Sequence, residues 1–502
     1  MKHNWIDFRR VVKVLPMAFM LVAGLMSSCS EGADCDEEFK SSVHDSQLTS
    51  PELAFANKMT TSGSEVVQVS WPVIKGAGGY KVTVTNVDDP ANPVVVVADS
   101  IIDGTSFTFP KKEDTNYSVS VLTLGNEALR NTGATEPTVV AYSTMVAGQI
   151  IPAGTADIVA WINEHMIDTD DEQAFELEAG ATYTLDKPLE FGTKKITFRG
   201  NKVNRPTLVI SGKSYISTVT GLKVKWINFD CTAQTPKGAS NDVYGIIQMP
   251  DEPPVTSENP NANLKAYYNP ETILIKDCMF KNVHCCLFAI GKNAWGIEDF
   301  RIDNSIVQMD NDGTYWADAA CISGFSNGYY KGTQNSWIGA IKSINLKNST
   351  FYNIKKNSKN RFVRWSNKDI KRVVPTALND GSFTMSDCTI SKIMTDKEFG
   401  NNTPNTKEYV ISFNRVVTYD VWRLQKFIQG NCTWNVDMTT NTVWGVSQSV
   451  DGTDKGKIAT EEDPGFTEEM VTKELDLTQP NGGVNFKATG AISSTIGDPR
   501  WF

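Results

Sequence analysis

Three carboxylates fall close together in one segment, MDNDGTYWADAACISGF (residues 309–325). They belong to Asp310, Asp312 and Asp318, and Tyr315 and Trp316 lie between the second and the third. Ca²⁺ prefers oxygen ligands such as carboxylates, and an aromatic ring offers a flat apolar face to a sugar. The segment therefore predicts a calcium site, a sugar-binding edge or a polar turn. Which of the three applies depends on the elements that position it.

Weak internal repeats indicate those elements. An apolar run followed by Asp or Asn, then Cys or Ser, recurs with the Asp or Asn at positions 277, 304, 348 and 387, and at 431 in a degenerate last copy. A second strand follows each copy, at residues 285–291, 320–325, 361–365 and 409–413. A shared strand with variable loops is typical of stacked coils. Residues 150–502 therefore predict a parallel right-handed β-helix.

A short helix and a row of cysteines fit the same prediction. Residues 155–166 have one apolar face, which predicts an N-terminal capping helix that begins at Thr155 or Asp157. Cys278, Cys388 and Cys432 align within the repeat, so we expect a ladder of small buried side chains. These thiols are then packing residues and not nucleophiles.

The repeat places the three carboxylates in a loop at one corner of the β-helix. The corresponding loop of the next coil contains Lys355, Lys356 and Lys359. The connection after residue 325 adds Tyr329, Tyr330 and Trp337. Insertions in stacked coils leave at the corners, so these charged and aromatic side chains are expected near one another.

Three functions are compatible with such a corner. In the first, the aromatic rings and the lysines bind an extended glycan. In the second, the carboxylates hold Ca²⁺ for a polysaccharide lyase, and Lys356, Arg361 or Arg364 abstracts the proton beside a uronate carboxyl group. In the third, the corner is only a polar turn. Because side chains alternate in a strand, one arginine of RFVRW must leave the pattern, pair inside or lie at a strand end, and pairing with a carboxylate is preferred.

Residues 50–145 predict a different, antiparallel unit. EVVQVSWPVIKGAGGYKVTV (residues 65–84) alternates apolar and polar residues around a glycine-rich turn, and further short strands follow at intervals of about ten residues. The arrangement, with Trp71, Tyr80 and Tyr117, resembles a fibronectin type III domain. Trp71 is then a core residue, and the unit is a spacer. The whole chain is thus expected to be all-β.

The N-terminus has the features of an export signal. Arg9, Arg10 and Lys13 precede an apolar run at residues 14–26, which is too short to span a bilayer comfortably. The run ends in LMSSC (residues 25–29), which resembles the lipobox of bacterial lipoproteins. This resemblance implies that residues 1–28 are removed, that Cys29 is lipidated, and that residues 29–49 form an acidic tether at the cell surface.

Composition excludes some functions. The net charge of −10 argues against nucleic acid as a partner, because phosphate binding needs clustered Lys and Arg. The chain has only 4 His, so a multi-histidine metal site or a Ser-His-Asp triad is not expected. No spacing of Cys and His suggests zinc.

Residues 150–502 resemble the pectate-lyase-like β-helix lipoproteins of Bacteroidota glycan-utilisation systems, on FELEAGATYTLDKPLEF (175–191) and the closing GDPRWF (497–502). The resemblance implies an outer-membrane, surface-exposed lipoprotein that engages polysaccharide, beside other glycan-uptake proteins. No Gly-His-Gly and no pectate-lyase signature is present, so no catalytic residue carries over. Glycan binding is therefore the preferred interpretation, with a Ca²⁺-dependent lyase and a structural or adhesive protein as alternatives.

Overall fold

The computed structural model describes residues 43–235, 245–250, 266–284, 286–290, 294–311, 320–324, 329–330, 333–334, 340–355, 361–365, 381–393, 399–401, 407–421, 427–428, 432–445 and 459–502. The chain divides into two compact units, Met1–Thr144 and Met145–Phe502. No helix in the described ranges is long and apolar enough to cross a membrane.

The first unit is an antiparallel β-sandwich. One sheet has the order Ala54–Met59, Glu65–Ser70, Ser106–Pro110, and the other has the order Val94–Ile102, Tyr80–Asn86, Asn116–Thr123, Thr138–Ser143. A short 3₁₀ helix, Glu127–Leu129, precedes the last strand. The alternation of apolar and polar residues explains the core, since every second side chain points between the sheets. Trp71 is 5 % exposed and its ring lies edge-on to that of Tyr80, so its predicted place in the core is confirmed.

The second unit begins with a strand, Gly148–Ile151, and a capping helix, Ile158–His165. Of the two predicted N-caps, Asp157 performs the role, because its Oδ1 accepts the N–H of Ala160 at 2.9 Å. Ile158 and Ile162 are buried in the same apolar cluster as the first coils. The helix therefore closes the N-terminal end of the core, as predicted.

Three parallel sheets form the body of the second unit, a parallel right-handed β-helix. Each coil contributes one strand to each sheet in turn, and we name the sheets in that order. Sheet 1 comprises Gly148–Ile151, Gln173–Leu177, Ile196–Arg199, Leu222–Lys225, Ala266–Lys276, Ala294–Asp303, Ala340–Lys347, the first halves of Ser382–Ser391 and Val410–Tyr419, and Thr433–Val436.

Sheets 2 and 3 follow the same stacking. Sheet 2 comprises Thr182–Leu185, Thr207–Ile210, Asn228–Asp230, Met279–Val283, Ile306–Met309, Thr350–Asn353, the second halves of Ser382–Ser391 and Val410–Tyr419, Thr442–Trp444 and Thr460–Glu461. Sheet 3 comprises Leu189–Glu190, Ile216–Ser217, Gly245–Gln248, Cys286–Ala289, Ala320–Gly324, Arg361–Trp365, Gly400–Asn401 and Phe427–Ile428. A two-stranded hairpin, Tyr329–Tyr330 with Thr333–Gln334, lies apart from all three.

The repeated Asp or Asn marks the corner between sheets 1 and 2. Asp277, Asn304, Asn348 and Asp387 all have φ between 49° and 54°. Left-handed backbone is tolerated best by Gly, Asn and Asp, and it turns the chain sharply. The segment predicted as one strand therefore bends at this residue, and its two halves enter two sheets.

The last repeat was aligned wrongly. The residue stacked beyond Asp387 is Arg415, with φ of 59°, because Ser386 pairs with Asn414 and Cys388 with Val416. The segment YVISF accordingly belongs to sheet 1, and Cys432 precedes a sheet 1 strand and does not continue the cysteine row. The error arose because an arginine occupies a position at which the pattern required Asp or Asn.

Residues 459–502 begin with the last strand of sheet 2 and then pack along the outer face of that sheet, and we name them the C-terminal strap. They contain a helix, Glu468–Thr472, and three 3₁₀ segments, Pro480–Gly483, Ser493–Thr495 and Pro499–Trp501; a fourth 3₁₀ segment, Met438–Thr440, lies before the strap. A second apolar core forms between strap and sheet: Phe466, Val471, Leu475, Val484, Phe486, Ile496 and Trp501 of the strap meet Met279, Ile306, Tyr352 and Val417 of the sheet. The sequence did not predict this cover.

Candidate functional site

The predicted corner brings one carboxylate and one lysine together. Asp310 follows a sheet 2 strand, and its Oδ1 lies 2.9 Å from Nζ of Lys355 in the next coil. Its Oδ2 lies 3.6 Å from Nδ1 of His284 in the preceding coil. Asn353 locks the turn, since its Oδ1 accepts the N–H of Asn311 and its Nδ2 donates to the Asn311 carbonyl. Specific contacts between successive coils thus hold the corner together. It includes His284, which the sequence did not suggest.

Most other predicted members of the corner lie outside the described residues: Asp312, Tyr315, Trp316, Asp318, Trp337, Lys356 and Lys359. Only the backbone of Tyr329 and Tyr330 is described. Within the described part of the chain, no three His, Cys, Asp or Glu side chains lie close enough to hold a metal ion. The calcium site therefore stays a prediction for this loop.

Arg361 and Arg364 are buried, at 8 % and 3 % exposure, on the sheet 3 strand after the corner. Their neighbours Phe362 and Val363 both enter the apolar core. Both residues have an interaction partner. Internal pairing of an arginine with a carboxylate stays a prediction. Burial keeps both groups away from a polymer on the surface unless the covering residues move. Their proposed role as bases stays a prediction.

The described cysteines beyond the signal are packing residues. Cys231, Cys278, Cys286, Cys321, Cys388 and Cys432 are all free and buried. Burial raises the pKa of the Cys278 and Cys321 thiols to about 12, and it raises that of Cys388 as well. A thiolate nucleophile is disfavoured under these conditions.

Sheet 1 presents an open polar face. One outward row runs through seven successive coils, as the strand pairing shows, and the apolar residue beside each member points into the core. Each member is half-buried or exposed. The row consists of Lys223, Leu274, Arg301, Asn345, Thr384, Ser412 and Asn435.

A pocket of about 150 Å³ opens at the N-terminal end of this face. Residues of four successive coils of sheet 1 line it. Gly221 leaves its floor open, since a Cβ there would come within 3.3 Å of the Glu271 Cβ. The lining residues are Glu172, Lys195, Ile196, Gly221, Lys223, Glu271 and Thr272.

Two ion pairs line the pocket. Lys223 Nζ lies 2.6 Å from Glu172 Oε2, and Lys195 Nζ lies 2.7 Å from Glu271 Oε1. Thr197 donates its hydroxyl to the other oxygen of Glu172. Burial alone would raise the pKa of Glu172, but the hydrogen bonds from Lys223 and Thr197 outweigh it and hold the pKa below its usual value. The pair with Glu271 raises the pKa of Lys195. Each pair therefore favours the charged form of one of its members, Glu172 in the first and Lys195 in the second.

The pocket was missed because its carboxylates come from separate coils. Glu172 and Glu271 are 99 positions apart in the sequence, and only the coil stacking brings them to one face. A signal existed in LKVK (residues 222–225), where lysines alternate with apolar residues, which is typical of a strand with a charged outer face. Nothing in the sequence indicated which acids those lysines meet.

The family models that match this chain describe domains of unknown function, so they indicate no activity. The family model of a domain of unknown function, DUF4992, matches residues 1–185, and that of a second, DUF4957, matches residues 181–354. No curated protein matches. Among solved structures, pectate lyase PelI from Erwinia chrysanthemi in complex with tetragalacturonic acid aligns at 8 % identity over 83 % of this chain and 88 % of that chain, with a TM-score of 0.15. So low a score carries no argument, and the β-helix rests on the strand pairing itself.

Proposed function

We propose that the protein is a polysaccharide-binding lipoprotein that uses the outer face of sheet 1. In this proposal Cys29 carries the lipid and the chain is displayed on the outer membrane of a member of the Bacteroidota, near other glycan-uptake proteins. The N-terminal sequence supports the anchor, since the LMSSC segment resembles a lipobox. A lipid anchor would keep the β-helix near polymer that arrives at the cell surface.

The open face of sheet 1 is the observation that carries the proposal. The strap covers the outer face of sheet 2, whereas the outward row of sheet 1, polar at six of its seven positions, stays within reach of solvent across seven coils. Strands in neighbouring coils lie about 4.8 Å apart, so seven coils span roughly 29 Å. A face of that length suits an extended chain of sugars better than a single small molecule.

Binding is preferred over cleavage because no complete catalytic set is found among the described residues. The described thiols are buried, burial raises the pKa of four of them (Cys231, Cys278, Cys321 and Cys388), and Arg361 and Arg364 are buried as well. The corner of Asp310, Lys355 and His284 keeps the lyase as the second candidate, because it places a carboxylate, an amine and an imidazole together.

One set of measurements separates these candidates. Purified protein is run in native gels that contain single polysaccharides, and the absorbance of unsaturated products is followed with and without Ca²⁺. We expect retardation without products. Asn345→Trp, which blocks the middle of the row, should abolish retardation, whereas Asp310→Ala should leave it unchanged; Thr135→Trp in the first unit is the control. Products that a chelator abolishes would instead establish the lyase.

The anchor is tested separately. Expression in a Bacteroidota host with a palmitate label should give a labelled protein, and Cys29→Ala should give an unlabelled one. Label that persists in Cys29→Ala would contradict lipidation at this residue.

A further inference from the structure

Every ammonium group of the sheet 1 pocket has a carboxylate partner in the pocket. Lys195 is paired with Glu271 and Lys223 with Glu172. The lining therefore carries two positive and two negative charges and no net charge.

The same compensation continues on the next strand of sheet 1. Arg301 Nε lies 2.6 Å from Asp299 Oδ2, and Lys342 Nζ lies 2.5 Å from Glu298 Oε1. Neutral donors reinforce both acids, since Thr272 donates to Asp299 and Tyr268 donates to Glu298. Arg301 and Lys342 are thus also held by carboxylates.

An acidic sugar is a poor fit to this lining. Its carboxylate would have to displace Glu172 or Glu271 from a lysine, or lie next to one of them. Two like charges 4 Å apart repel by about 4 kcal/mol near a protein surface, which is as large as the attraction of a single lysine. No surplus positive charge of the pocket is left to favour the anion.

Neutral hydroxyl groups fit the same lining well. A lysine has three N–H donors, and a carboxylate has about four lone-pair sites, so each ion pair keeps donors and acceptors to spare. A sugar hydroxyl both donates and accepts, and can bridge the two partners of one pair. Hydrogen bonds to charged groups are stronger than neutral ones, which gives the contact its strength without net charge.

We propose that the pocket binds one electrically neutral sugar residue of the polysaccharide, by its hydroxyl groups and not by an acidic group. The proposal rests on the glycan-binding function proposed above and specifies its ligand class. The volume of about 150 Å³ is below the roughly 300–1,000 Å³ of pockets that enclose drug-sized ligands. It therefore suits a single residue of the chain, and the rest of the chain follows the open row.

A neighbouring row of sheet 1 supplies the competing possibility. Lys225, Lys276, Asp303 and Lys347 are stacked in successive coils, and this row has a surplus of positive charge. An acidic polymer would bind there and not in the pocket. The two outcomes differ in ligand, in salt dependence and in the lysines required.

Affinity electrophoresis of the full-length mature protein distinguishes them. The neutral gels contain mannan, xylan or β-glucan, and the acidic gels contain polygalacturonate, alginate or chondroitin sulfate. We expect retardation in a neutral gel that changes less than about twofold between roughly 0.05 and 0.5 M NaCl, because no net charge is neutralised. The double variant Glu172→Gln/Lys223→Met should weaken it at least about tenfold.

Two control variants complete the design. Lys111→Met/Glu65→Gln removes an ion pair of 3.0 Å from the first unit and should leave retardation unchanged. Lys276→Met/Lys347→Met removes the cationic row and should also leave it unchanged. Thermal unfolding of each variant confirms that it is folded.

Failure of the neutral-sugar inference can be distinguished from failure of the proposed glycan-binding function. Retardation only in acidic gels, lost in salt and in Lys276→Met/Lys347→Met, overturns the neutral-sugar inference and leaves the glycan-binding function standing. Retardation in a neutral gel that survives Glu172→Gln/Lys223→Met also overturns the inference. The absence of retardation in every gel overturns both the inference and the function.

Discussion

The outer faces of sheets 1 and 2 are formed by the same coils, but the first stays exposed to solvent and the second is covered by the strap. On sheet 1 the outward residues include Lys223, Arg301 and Asn345, and solvent reaches them. On sheet 2 the outward positions hold Met279, Ile306 and Tyr352, which are 5 % exposed or less beneath the strap. The difference teaches that an apolar outer face of the coil is covered by another part of the same chain, whereas a polar outer face stays accessible to solvent.

Polar groups show the same contrast. Gln308, on sheet 2, accepts the N–H of Leu475 at 2.8 Å, and Tyr352 donates its hydroxyl to the Lys473 carbonyl at 2.9 Å. These bonds fix the strap backbone to the sheet, because buried polar groups must be satisfied. On sheet 1 the ion pairs lie beside water and keep spare hydrogen-bonding capacity. Similar residue types thus fix the strap on one face and stay accessible to solvent on the other.

The largest effect is expected from Phe486→Ala, which deletes a ring that packs against Tyr352 and Trp501 under the strap. Removal of a buried phenylalanine costs about 3–5 kcal/mol of unfolding free energy. Urea unfolding of the β-helix measures the loss. Asn345→Ala, the matched change on sheet 1, should alter stability by less than about 0.5 kcal/mol. Equal effects would remove the distinction between the two faces.

Asp498→Ala should cost about 3 kcal/mol. The carboxylate is fully buried, accepts the Thr350 hydroxyl at 2.7 Å, and pairs with Arg500 at 2.7 Å, so its loss strands a buried cation. Asp299→Ala, whose partner Arg301 is exposed, should cost about 1 kcal/mol or less. Urea unfolding measures both losses of unfolding free energy. A loss for Asp299→Ala as large as that for Asp498→Ala would contradict this prediction.

Asn348→Ala should cost about 1–2 kcal/mol, because Asn348 has φ of 50° at the corner where the two sheets separate. Asn348→Gly should cost less, since glycine adopts this conformation freely. A smaller loss of unfolding free energy for alanine than for glycine would mean that the backbone angle is not the source of the cost. The side-chain bond from Asn348 Nδ2 to Asp303 would then be what holds the corner.

The smallest effect concerns pH. Hydrogen bonds from Asn282 and Lys281 hold the pKa of Glu474 below its usual 4.5. A carboxyl whose pKa is lowered by folding stabilises the protein above pH 4.5, and this contribution disappears as the pH falls through the lowered pKa. Glu474→Gln should therefore lose about 1 kcal/mol or less at pH 6, and the difference from the native protein should shrink as the pH falls below 4.5 and through the lowered pKa. Urea midpoints across this range measure it, and a difference that grows in acid would contradict the assignment.

Much of the fold could be predicted because it depends on local patterns. Alternation of apolar residues identified the strands of both units, and recurring Asp and Asn marked the coil corners. The pattern failed at Arg415, where a residue that rarely adopts φ of 59° occupies the corner. Residues 459–502 have little periodicity, so nothing local indicated that they cover sheet 2.

The candidate site was less predictable, for a physical reason. The contact between Asp310 and Lys355 follows from aligned loops of consecutive coils, which the repeat made visible. His284 was missed because it lies in a connection of almost no length. Glu172, Glu271 and their lysines were missed because charges on an outer face leave no mark of their pairing in the sequence.

The sequence by itself determined the all-β class, the two kinds of unit, the capping helix and the stacking of coils, since strand periodicity and turn preferences act within a few residues. The sequence also predicts an export signal and a lipidated Cys29, and both stay predictions. Only the tertiary structure decided which outer face stays open, which acid meets which lysine, and where the pocket lies. Those depend on contacts between residues far apart in the chain, and they form only when the coils are stacked and the strap is closed over sheet 2.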